Sequence, residues 1–102
     1  MYIVVRIRYP NDLAPEVGKK YLEVMQKYPD DPALGEPTVL AAVRSTQRGI
    51  TVISMSKVKK GKTDEALAYA WKRMVEFNDI KGFRYTVETW LEVTEALKLI
   101  GM

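Results

Sequence analysis

The 102-residue sequence predicts a single α+β domain in which two helices cover one face of a four-stranded antiparallel sheet. Three observations carry that expectation. Stretches of two-residue alternation and of helical periodicity follow one another in the order β-α-β-β-α-β, with a short helix after the last strand. The length is that of one domain, residues 1–102, large enough for one core without disulfides or metal. Composition agrees, because 47% hydrophobic and 28% charged residues are the proportions of a globular chain rather than a disordered one.

The first strand is Tyr2–Tyr9, with Ile3, Val5 and Ile7 on one side and Val4, Arg6 and Arg8 on the other. Pro10-Asn11-Asp12 stops it, and Asn11 or Asp12 is placed to cap the helix that follows. From Pro15 to Tyr28 apolar residues recur at Val17, Tyr21, Val24, Met25 and Tyr28, a helical stripe, with Pro15 suited to the first turn. Gly18 weakens that helix, which suggests close packing against a neighbour. Two β-branched runs, Thr38–Ser45 and Ile50–Val58, are joined at Thr46-Gln47-Arg48-Gly49 as a hairpin. Thr63 reads as the N-cap of the second helix, whose stripe is Leu67, Ala70, Trp71, Met74 and Phe77. Phe83–Val93 alternates again, setting Phe83, Tyr85, Val87 and Leu91 against Arg84, Thr86, Glu88 and Trp90. A helix from Thr94 to Ile100 closes the chain at Gly101.

This order gives a ferredoxin-like sandwich, and it leaves one sheet face without helices. That bare face carries Val4, Arg6 and Arg8 from the first strand and Thr86, Glu88 and Trp90 from the last, with Glu88 across from Arg6 or Arg8. The second strand adds Leu40, Ala42 and Arg44. The third has two readings, Ile53 and Met55 on one side or Val52 and Ser54. Strands apolar on both faces are usually buried on both, and a partner sheet is the simplest cover.

At these residues the chain resembles the dimeric α+β barrel superfamily, which includes the antibiotic-biosynthesis monooxygenase-like and muconolactone isomerase-like proteins. The resemblance runs through the element order and the stretch Val58-Lys59-Lys60-Gly61-Lys62-Thr63-Asp64-Glu65-Ala66-Leu67. It implies a homodimer formed through the open sheet face, with a ligand cavity between sheet and helices or inside the barrel. No histidine is present to match the members that use one, and no catalytic residue carries over.

Function is narrowed mainly by exclusion. Without Cys or His the chain has no zinc finger, thiol nucleophile or imidazole base, and we expect neither metal nor cofactor. Asp12 and Asp30-Asp31 lack a coordination pattern. The net charge of +3 is too small to imply nucleic acid by itself. Arg48-Gly49 opens the third strand as in RNA-recognition modules, but Ile50, Val52 and Met55 stand where stacking rings belong. The basic turn Lys57, Lys59, Lys60 and Lys62 lacks the first glycine of a phosphate loop, since Ser56 occupies that place, and reads as a solvated turn. No apolar run spans a bilayer and no signal peptide opens the chain, so a cytoplasmic location is the expectation.

The candidate binding residues are Arg6, Arg8, Arg44, Glu88 and Trp90, whose guanidinium forks suit a small anionic molecule in a cavity by the sheet face. The competing reading is an interface ion network with no ligand, Trp90 serving as a dimer anchor. A third is a cofactor-free isomerase or monooxygenase-like enzyme with Glu88 as base or a Tyr in that role. The helix aromatics and methionines, Tyr21, Met25, Tyr28, Trp71, Met74 and Phe77, are assigned to the core or its groove.

Overall fold

The computed structural model describes residues Met1–Met102. Strand β1 is Tyr2–Tyr9, helix α1 Ala14–Lys27, strands β2 and β3 Gly35–Thr46 and Gly49–Val58, helix α2 Thr63–Val75, strand β4 Arg84–Trp90 and helix α3 Val93–Leu99. A 3-10 turn at Asn11–Leu13 precedes α1. The sheet is open and wholly antiparallel, in the order β2-β3-β1-β4. This α+β arrangement is consistent with a ferredoxin-like sandwich. No helix is long and apolar enough to cross a membrane.

The core lies between the sheet and the first two helices. Ile3 and Val5 from β1, Val58 from β3, Val17 and Val24 from α1, and Met74, Phe77 and Ile80 from α2 and its exit turn are all buried. Apolar spacing on α1 and α2 brings these residues onto the sheet, as an amphipathic helix requires. Trp71, expected in the same stripe, is instead 44% exposed and meets Tyr85 edge-on at the margin of the helix layer.

Several local expectations change. Asn11 caps no helix: its amide donates to the Thr46 carbonyl at 2.8 Å, tying the chain after β1 to the far end of the hairpin. Thr63 is the first residue of α2, and no side chain caps that helix. The true capping device sits on α3, where Glu92 and Glu95 form a reciprocal box. Gly18 packs against nothing, because a Cβ there would meet no atom within 4 Å.

Register resolves the phase of β3. Thr51, Ile53, Met55 and Lys57 stand beside Arg8, Arg6, Val4 and Tyr2 on the open face, while Val52, Ser54 and Ser56 turn toward the helices. Ala42 and Arg44 follow Ile53 and Thr51 onto the open face. Leu40 departs from its expected place. Irregularities between Pro37 and Val39 and between Val39 and Ala42 break the alternation, and Leu40 joins the wall of the helix-side cavity.

The open face is not bare along its whole length. Glu92 reaches Lys57 at 3.0 Å, and the Met1 ammonium binds Glu95, so α3 is anchored at the Tyr2–Lys57–Trp90 end. The hydrogen bond and negative charge of Glu92 hold the Lys57 ammonium above its usual range. Nearby Val4, on the open face, is completely buried within the single chain.

Candidate functional site

The expected cluster divides into two groups. Arg6, Glu88 and Trp90 come together toward the α3 end. Glu88 lies opposite Val4, diagonally from Arg6, and the Arg6 Nε meets Glu88 Oε2 at 3.1 Å. The Thr86 hydroxyl donates to Glu88 Oε2 at 2.7 Å, and the Trp90 indole donates to Oε1 at 2.9 Å. The Arg6 guanidinium also lies over the Trp90 ring, 5.7 Å from its centroid. Every member of this group is therefore engaged by another.

That engagement decides what Glu88 can do. The Thr86 and Trp90 hydrogen bonds, followed by the Arg6 charge, hold its carboxyl below the usual glutamate range. A base is more effective as its pKa approaches the working pH, so these contacts weaken Glu88 as a proton acceptor. Glu88 is engaged as the counter-ion of Arg6.

Arg8 and Arg44 lie elsewhere. One row of the open face runs Arg84 on β4, Arg8 on β1, Thr51 on β3 and Arg44 on β2. This row is the one next to Arg6, two residues or about 7 Å further along β1, and six residues, about 20 Å, from the Tyr2 row. Arg8 and Arg44 line a shallow concavity of about 250 Å³ with Thr46, Arg48 and Thr51. Arg48 and Arg84 were not singled out as binding residues. Alternation alone puts Arg84 on this face, but its position opposite Arg8 depends on strand register, which the sequence does not display.

The larger cavity is on the helix side, about 290 Å³, and 21 of its 31 lining residues are hydrophobic. It exists because α2 rests on β1 and β4, while β2 makes substantial contact only with β3. α2 therefore roofs the β1–β4 half of the sheet, while β2 stays exposed along nearly its whole length. Val17, Gly18, Tyr21 and Met25 of α1, Ala70 and Met74 of α2, and Phe77 from its exit turn form the wall. Val52, Ser54 and Ser56 of β3 form the floor, and Val39, Leu40 and Val43 of β2 the open margin. Two polar groups at that margin are already committed: Arg73 donates to the Tyr28 carbonyl at 2.8 Å and pairs with Asp30 at 3.0 Å. The serine hydroxyls are left as the polar groups of the floor. Gly18 and the serines in an otherwise apolar strand face were the available sequence signals.

The basic turn is not gathered into a site. Lys57 pairs with Glu92, and Lys62 with Glu65. No group of three or more metal-ligating side chains occurs in the chain.

No family model matches the chain, and no curated protein matches it. Among solved structures, it is similar to a de novo designed protein, Foldit4, with 13% identity over 89% of this chain and 100% of that one, at a TM-score of 0.45.

Proposed function

We propose that this chain is a small-molecule-binding protein whose helix-side cavity takes a compact, largely apolar ligand. The observation that carries the reading is the cavity itself, about 290 Å³ and lined mainly by hydrophobic side chains. A concave apolar space with a few convergent polar groups is the usual form of a ligand site. Ser54 and Ser56 on its floor suit a ligand with one hydroxyl or carbonyl on an apolar body. N-phenyl-1-naphthylamine, uncharged and fluorescent in apolar surroundings, tests this. Wild type is expected to bind it at one saturable site. Gly18→Leu, whose side chain grows into open space, is expected to weaken binding at least tenfold. Equal affinity in the two proteins overturns the reading.

The assembly we propose is the homodimeric α+β barrel, packed through the α3 end of the two open faces so that the Arg8–Arg44 end of each stays open to solvent. Trp90 is 44% exposed, and α3 with its exit leaves Val93, Leu99 and Ile100 at 72%, 76% and 69% exposure. With half-buried Ile53 and Met55 these residues supply apolar surface for a second copy at the α3 end of the sheet. Sedimentation at tens of micromolar is expected to give a dimer. A monomer at that concentration rejects the barrel.

A further inference from the structure

We propose that the arginine row at the far end of the open face is a binding site for a compact phosphate-bearing anion. The inference is independent of the apolar cavity, which lies on the other face of the sheet. It starts from an arrangement that a folded sheet should avoid. Arg8 and Arg84 are direct cross-strand partners, and like charges in that position repel. Arg44 follows in the same row beyond Thr51, and Arg48 joins Arg8 and Arg44 around the concavity at the hairpin end.

None of the four is neutralised within the chain. The ion pairs use Arg6, Arg73, four lysines and the Met1 ammonium, and none involves Arg8, Arg44, Arg48 or Arg84. The contrast with Arg6 is informative, since that arginine, in the adjacent row opposite Thr86, reaches diagonally to Glu88 in the row beyond. The sheet answers one arginine with a carboxylate and leaves the next row positive.

An oxyanion answers that row. Guanidinium forks hold phosphate oxygens by paired hydrogen bonds, and arginine loses less hydration than lysine in doing so. Thr51 lines the same concavity, and its hydroxyl is an additional donor, whereas the Thr46 hydroxyl already donates to the Gly49 carbonyl. About 250 Å³ accommodates a mono- or diphosphate group rather than an extended chain, and the lining is mostly polar. Because the arginines are exposed, the attraction is screened by salt.

Inorganic pyrophosphate and inorganic phosphate, titrated at low ionic strength and again in 0.5 M sodium chloride, are the probes. Binding is followed by calorimetry and by thermal unfolding. Wild type is expected to bind pyrophosphate saturably and more weakly in high salt, with its unfolding temperature rising with ligand. Arg8→Gln and Arg44→Gln should each weaken binding at least tenfold, whereas Arg6→Gln, whose charge Glu88 already answers, should change it less than twofold. Arg84→Gln carries a distinct signature: a higher unfolding temperature without anion, because the repulsion is removed, together with weaker pyrophosphate binding. A wild type with no saturable response overturns the proposal. So does equal weakening by Arg6→Gln and Arg8→Gln, which would mean a diffuse positive field, or binding of a single-stranded RNA oligomer more tightly than pyrophosphate, which would assign the row to nucleic acid.

Discussion

Phe77→Ala is expected to lower the stability of this protein by about 3–5 kcal/mol, the cost of removing a large aromatic side chain from a packed core. Phe77 is 3% exposed, and its ring stacks on Phe83 with centroids 4.6 Å apart. Phe83 in turn faces Tyr9 at 6.0 Å, so the stack ties the exit of α2 to the end of β1. Ring-to-ring packing adds to what buried area alone contributes. Phe77 also borders the cavity, so truncation enlarges an existing void that the neighbours do not fill. Against a typical domain stability of about 5–15 kcal/mol, the variant should be near its folding threshold. Urea unfolding of wild type and variant checks this. Trp71→Ala, at the exposed margin of α2, is the matched control, with an expected loss below about 1.5 kcal/mol. Similar losses at both positions would mean that the aromatic stack does not centre the core.

Val4→Asp should have a comparable effect with an unusual pH dependence. Val4 has no exposed surface, and its cross-strand partner is Glu88. A carboxylate there would be buried next to a like charge, at a cost of several kcal/mol at neutral pH. Burial raises the pKa of the introduced carboxyl, so the folded state binds its proton more readily than the unfolded state. The variant should therefore recover stability as pH falls from neutral toward the ordinary carboxyl range. Wild type should do the reverse. Its Glu88 and Glu95 carboxyls are held low, the first by Thr86, Trp90 and Arg6, the second by the Met1 ammonium and the Glu92 backbone. Their contribution is present above the unfolded-state carboxyl pKa and is lost as pH falls through the lower folded-state values. Unfolding midpoints between pH 4 and 7 are expected to converge between the two proteins. Parallel curves would show that position 4 is open to water in solution.

The elements were legible because their signals are local. Alternation in Tyr2–Tyr9, the stripe Val17–Tyr21–Val24, and the Gly49 hairpin each follow from neighbours in sequence, and all appear in the structure. The face assignment of Arg6, Arg8, Arg44, Glu88 and Trp90 was legible for the same reason. Their grouping was not. Whether Glu88 meets Arg6 or Arg8 depends on cross-strand register, and that register moved Arg8 away from Glu88 and opposite Arg84. Leu40 was misplaced because an extra residue in an edge strand reverses every side chain beyond it. Gly18 borders a space rather than a neighbour, and a missing side chain looks the same in sequence in either case.

Strand β2 is an outer strand of twelve residues, and Pro37–Val43 contains no charge. An uncharged, β-prone edge of that kind ordinarily recruits further strands and seeds fibrillar deposits. Pro37 removes one donor from the ladder, and the two irregularities that follow keep this rim from offering an even row of hydrogen-bonding groups. The same kinks that shift Leu40 toward the cavity thus break up the rim, letting the strand stay apolar along the cavity without offering an even template to another edge.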